Sequence, residues 1–190
     1  MELYNNPHKD VIDIACYGRN ETSGHSGTIV KDFAVTMEKG NRLILKTNDE
    51  LPIVFYSLKP KLIGGLIVDE EKSLKETTFQ KIKEVLTSFN IKPSDLYVVF
   101  GPSLTFSHCP VERSVIEKLL DYDYRAAAKR TNGVDFIDIP VLNILQLRRL
   151  GIPFENIATT NIDTYECAEI LFSKLRGEDQ KNSLEIEIIA

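Results

Sequence analysis

Two runs of carboxylates, Asp49-Glu50 and Asp69-Glu70-Glu71, sit near the ends of apolar, β-branched segments; His108 stands beside Cys109, and His25 lies within Gly24-His25-Ser26-Gly27. Carboxylates meeting from neighbouring strand ends offer the oxygen ligands that Mg²⁺ or Ca²⁺ takes. A His next to a Cys has the residue types of a base and a thiol nucleophile. Each pattern also has a plainer reading. Acids ahead of a helix complement its positive N-terminal dipole, and adjacent side chains diverge on a strand or at a helix start. Cys16, Cys109 and Cys167 are widely spaced with no CxxC pair, which predicts free thiols rather than disulfides or a structural zinc site. Cys16 and Cys167 read as small core residues and His8 as a solvated one.

The elements that must position these residues are strand-rich at first. Strands are predicted at 11–17, 28–37, 42–47, 52–57 and 61–68, with a Gly, Asn and Ser-rich loop, GRNETSGHSG, after the first. The short connections TNDELP and LKPK favour antiparallel neighbours. Gly64-Gly65 lacks the GxGxxG spacing and reads as a place where backbones pack closely. From Ser73 to Phe89 apolar residues recur at helical spacing, with Ser73 as N-cap, Glu76 three residues on, and Phe79, Ile82, Leu86 and Phe89 on the buried face. A strand at 96–101, a turn at Gly101-Pro102 and a helix from Pro110 to Leu120 follow. Residues 134–176 then read as strand, proline-opened helix, glycine stop, second strand and second helix, and 183–189 as a closing strand with one wet face. Strands clustered ahead of helices predict an α+β fold with a mixed sheet and exclude a Rossmann order.

With 190 residues, 43 % of them hydrophobic, the chain is expected to form one domain spanning 1–190. A net charge of -5 leaves no basic field for nucleic acid. The absence of a long apolar run and of a signal-like N-terminus predicts no membrane partner and a cytoplasmic protein.

Several motifs, in order and spacing, resemble the laccase-domain family, also called the polyphenol-oxidase or peptidoglycan-editing-factor family. Asp32-Phe33-Ala34-Val35-Thr36 resembles its D-A-L-V-T strand, and Thr47-Asn48-Asp49-Glu50-Leu51-Pro52 its T-A-D-C-L-P motif. Phe100-Gly101-Pro102-Ser103-Leu104 resembles I-G-P-A-I; Ile137-Asp138-Ile139 with Asn143, Gln146-Leu147 and Gly151 resembles its L-D-L…N…QL…G segment. Asp163-Thr164 and Phe172-Ser173-Lys174-Leu175-Arg176 resemble its C-T…F-S-x-R-R ending, so the match runs over about 32–176. The resemblance implies a three-layer fold of mixed sheets with packed helices, like that of cytotoxic necrotizing factor. It also implies an ancestral activity as a purine nucleoside phosphorylase with adenosine deaminase side activity.

Members of that family gather a transition metal with a Cys, a His and an upstream His. Here Glu50 stands at the first position and Ile67 at the second, with His25 the one nearby candidate for the third. The resemblance therefore nominates Glu50 and Asp49 as catalytic residues and Gly101, Pro102, Thr164 and Arg176 as substrate-binding ones. His25 and Glu50 are the weak candidates for metal ligation, and no cofactor is expected, with zinc or copper required if the family site is retained. The partners implied are a purine nucleoside and phosphate. Three functions stay open: a nucleoside- or partner-binding module with reduced chemistry, an active phosphorylase or hydrolase with rebuilt ligands, and a structural interaction protein.

Overall fold

The computed structural model describes residues 6–19, 21, 24–121 and 123–190. Asn20, Thr22 and Ser23 of the predicted 18–27 loop, and the first five residues, lie outside them. In chain order the elements are β1 (Ile12–Tyr17), β2 (Thr28–Val30), β3 (Phe33–Thr36), β4 (Arg42–Thr47), β5 (Leu51–Leu58), β6 (Lys61–Val68), α1 (Glu70–Leu74) and α2 (Thr77–Ser88). Then come β7 (Leu96–Phe100), β8 (Pro110–Val111), α3 (Arg113–Asp121), β9 (Ala128–Thr131), β10 (Val134–Ile137), α4 (Ile139–Arg149), β11 (Ile157–Thr159) and β12 (Asn182–Ile188).

The layers follow from which strand faces are apolar. β1-β12-β4-β2 form one sheet and β11-β7-β5-β6-β3 another, both mixed, with a small β8-β10-β9 sheet beside them. Ile12, Leu43, Leu45 and Ile186 of the first sheet meet Val54, Tyr56, Ile63 and Val99 of the second in one core. The second sheet's opposite face, with Ile53, Phe55, Leu66 and Val98, packs on Ile82, Val85, Leu142 and Leu147 of the helices. The result is a mixed α+β fold of three layers, sheet on sheet on helices.

Gly64 and Gly65 allow this packing. A Cβ on Gly65 would stand 2.7 Å from Leu45 Cδ1 of the facing sheet, and one on Gly64 would stand 2.1 Å from the Phe55 ring. β5 and β6 form the expected antiparallel hairpin, but β4 and β5 belong to different sheets, because TNDELP carries the chain across the core. The predicted 28–37 strand likewise divides, β2 pairing with β4 and β3 with β6.

Three predicted helices change. Ser73 does not cap the 73–89 helix: Asp69 caps α1 by accepting from the Lys72 N–H at 2.8 Å, and Glu76, with φ of 56°, breaks the chain before α2. That break rotates the first turn of α2, burying Thr78, Ile82 and Val85 and leaving Phe79 half-buried beneath the Arg149 guanidinium, 4.1 Å away. Pro110 belongs to β8 rather than a helix, pairing with Phe136, and α3 begins at Arg113. The segment after β11 forms turns and one 3-10 turn at Lys174–Arg176, since side chains there capture the amides and carbonyls a helix would use. His8 is half-buried, its Nδ1 3.0 Å from the Tyr56 hydroxyl, rather than simply solvated. Cys16 is buried as expected, whereas Cys167 is half-buried.

Candidate functional site

The connection after β4 is anchored from both sides. The Asn48 side-chain amide donates to the carbonyls of Glu178 and Gln180, and Asn182 Nδ2 donates to the Asn48 carbonyl at 3.4 Å. The two carboxylate oxygens of Asp49 accept from the Thr164 hydroxyl at 2.7 Å and the Leu175 N–H at 2.8 Å. Asp49 therefore holds the C-terminal segment in place. Glu50 accepts from the Asn48 N–H at 2.9 Å through Oε2, and its other oxygen makes no hydrogen bond among the described residues. Glu50 lines a cleft of about 180 Å³ together with Asp49, Asp69, Glu70, Leu104, Cys109, Ile139 and Lys174.

Burial acts on two of the groups that line this cleft. Burial, with help from Glu70 and then Asp138, pushes the Cys109 thiol up to about 12. Burial and then Asp69 raise the Glu70 carboxyl. A thiol held protonated is a poor nucleophile, because the thiolate is the attacking form. His108 gives Cys109 no help, because its ring turns the other way, with Nδ1 3.2 Å from Asp163 Oδ2 and the ring against Tyr165. The acids at 69–71 act as the plainer reading expects: Asp69 caps α1, and Glu71 pairs with Lys75 one turn on.

The remaining sequence candidates are placed as follows. Thr164 is buried and donates to Asp49, so Asp49 and Thr164 are brought together. Arg176 donates to the carbonyls of Thr164, Tyr165 and Leu171 and to Glu178, so its guanidinium staples the 164–178 segment. Gly101 and Pro102 are buried, and a Cβ on Gly101 would stand 2.8 Å from Pro52 Cγ. His25 lies elsewhere, 3.1 Å from Arg42 Nη1 and 3.6 Å from Glu185 Oε2, so it does not join Glu50. Lys72, a natural donor for Glu50, bonds Asp32 instead, and Lys46 points to solvent.

Sequence reasoning missed Lys174, the cation lining the cleft, and Asp163. Asp163 is buried and accepts from the N–H and hydroxyl of Thr105, at 2.9 and 2.8 Å, and from the N–H groups of Tyr165 and Glu166. Burial pushes its carboxyl up, but these donors and His108 outweigh burial and hold it below the usual range. Its position at the family's C-T motif was a signal for the place, though not for the bonding.

Zinc and copper sites draw mainly on imidazole and thiolate, with a carboxylate as an occasional further ligand. The residues here do not fit such an ion: among the described residues the cleft offers carboxylates, a single thiol and an amine, with no imidazole. Ile67 packs into the core between the sheets. Among the described residues no group of three His, Cys, Asp or Glu is placed to hold a metal ion. None of the described helices is long and apolar enough to cross a membrane.

The chain is 25 % identical over 164 residues to the purine nucleoside phosphorylase YlmD of Bacillus subtilis (strain 168), covering 85 % of this chain and 59 % of that protein. It is 29 % identical over 168 residues to the purine nucleoside phosphorylase YlmD of Staphylococcus aureus, covering 84 % and 62 %. It thus spans about three fifths of the length of these curated relatives. Among solved structures it is similar to YlmD from Geobacillus stearothermophilus, with a TM-score of 0.74 at 23 % identity over 84 % of this chain and 61 % of that one. It is also similar to Bacillus licheniformis YfiH, with a TM-score of 0.75 at 18 % identity over 90 % and 73 %. These likenesses share the three-layer fold described above. The family model described as multi-copper polyphenol oxidoreductase laccase matches residues 4–183, and the chain belongs to that family.

Proposed function

We propose that this chain is a divergent laccase-domain protein whose metal-dependent chemistry is lost or strongly reduced, and which acts as a nucleoside- or partner-binding module. The observation that carries this reading is the donor set of the Glu50 cleft, where among the described residues a soft metal finds carboxylates, a single thiol and a lysine but no imidazole. Relatives called purine nucleoside phosphorylases support a purine nucleoside as the ligand class. Within the cleft, the unpaired oxygen of Glu50 is free to accept from ribose hydroxyls, and Lys174 supplies positive charge for phosphate. At about 180 Å³ the cleft is smaller than the ~300–1,000 Å³ usual for ligand pockets, so it suits the sugar end of a nucleoside with the base outside.

A second reading has its own observation. Burial and then Asp69 raise the Glu70 carboxyl, which lines the same cleft as Glu50, and a carboxyl raised by burial is the kind of group that serves as a general acid in hydrolysis. Assaying adenosine and inosine with phosphate separates the two readings. Weak or absent turnover, little altered by Glu50→Gln, together with saturable nucleoside binding supports the binding module. Robust turnover abolished by Glu50→Gln in a folded protein supports the rebuilt site.

A further inference from the structure

The face of the four-stranded sheet turned away from the core carries a second cleft, of about 600 Å³, which shares no lining residue with the Glu50 cleft. Glu185 of β12 forms part of its floor and is completely buried. Its Oε2 accepts from Arg42 Nη1 at 3.1 Å, while Oε1 is buried with no hydrogen-bond partner among the described residues. Arg42 is engaged elsewhere: its Nε and Nη2 are taken by Glu187, at 2.8 and 2.5 Å, and by Asp13 at 3.1 Å, and its Nη1 lies 3.1 Å from His25 Nδ1 as well as from Glu185 Oε2. Buried polar atoms are rarely left unpaired, so each such atom calls for an explanation.

The described wall of the cleft carries more positive than negative charge, with Arg19, Lys46 and Lys181 against Glu21, and His25 beside them. Lys46 and Lys181 line it with exposed side chains and form no ion pair among the described residues. The Arg19 guanidinium lies 4.6 Å from the centre of the Phe172 ring, fixed there by the Leu171 carbonyl at 3.1 Å and by Glu178. Tyr17 lines the same cleft. A buried acceptor on the floor and free ammonium groups in the wall select a molecule with a donor at one end and negative charge at the other. An amine ligand would satisfy Glu185 but be repelled by the lysines, and inorganic phosphate would satisfy the lysines but be repelled by Glu185.

We propose that this cleft binds a hydroxylated anion of the sugar-phosphate class, with a hydroxyl donating to Glu185 Oε1 and the phosphate held by Lys46 and Lys181. The volume falls within the ~300–1,000 Å³ of ligand pockets, and the site is independent of the reading given to Glu50. Calorimetric titration of the full chain with ribose 5-phosphate and glucose 6-phosphate tests it, with ribose, glucose and inorganic phosphate as separate arms. The expected result is saturable binding of at least one sugar phosphate, with the free sugars and inorganic phosphate each weaker by about tenfold or more. Glu185→Gln and Lys181→Met should each weaken that binding by about tenfold. Lys181 is exposed, so its variant reports on binding even where Glu185→Gln disturbs the sheet. Failure of both sugar phosphates to bind, binding indifferent to Lys181→Met, or inorganic phosphate binding as tightly as either would overturn the proposal.

Discussion

Asp163 stands where the resemblance places a cysteine, and the structure makes it an acceptor for a whole loop: Thr105, Tyr165 and Glu166 all donate to it. Asp163→Asn should cost about 1.5–3 kcal/mol at neutral pH, the range for hydrogen bonds to a charged group. Its folded carboxyl lies below the unfolded value of about 3.9, so its contribution is complete above that pH and is lost as pH falls through the lower folded value. Urea unfolding of both proteins at neutral pH and below pH 4 should therefore show the gap between them narrowing in acid; a gap independent of pH would contradict this assignment. Cys109 is the opposite case, a buried thiol pushed up to about 12. In native protein at pH 8 iodoacetamide should modify half-buried Cys167 well before Cys109, as read by peptide mass spectrometry. Early modification of Cys109 would restore a reactive thiol to the cleft. The sequence displayed these side chains but not their partners, since Asp163 and Thr105 meet only after 58 residues of chain.

At the level of elements, periodicity found the strands of the two large sheets because each has an apolar inner face, and it identified β12 as well as the β5–β6 hairpin, but it missed β8 and the mostly exposed β9 of the small sheet. It failed at α1 and α2, where a polar network sets the geometry instead. Asn143 Nδ2 donates to Ser73 Oγ at 2.9 Å, Thr78 donates to Asn143 at 2.5 Å, and Gln146 bonds the Ser73 carbonyl and the Phe79 N–H. Asn143 and Gln146, legible as part of a motif, thus do structural work by fixing the break at Glu76. Ile82→Ala should cost about 2–5 kcal/mol and Phe79→Ala distinctly less, because Ile82 is fully buried and Phe79 is not. Chemical denaturation of both variants checks this, and equal or reversed losses would mean that α2 is turned the other way.

For the molecule as a whole, the two sheets approach closely because Gly65 presents no side chain to Leu45. Gly65→Ala should destabilise the fold by about 1–3 kcal/mol through overpacking, seen as a lowered thermal midpoint. An unchanged midpoint would show that Leu45 yields freely. The three-layer arrangement was legible through the family's motifs, whereas the division of 28–37 between two sheets was not, since one β-branched run carries no mark of changing partners. The central claim, that the ancestral site no longer suits a soft metal, is tested most directly by elemental analysis of protein purified without chelators. Zinc and copper well below one equivalent per chain are expected, unchanged in Glu50→Gln; one equivalent of either metal, lost in Glu50→Gln, would contradict the account.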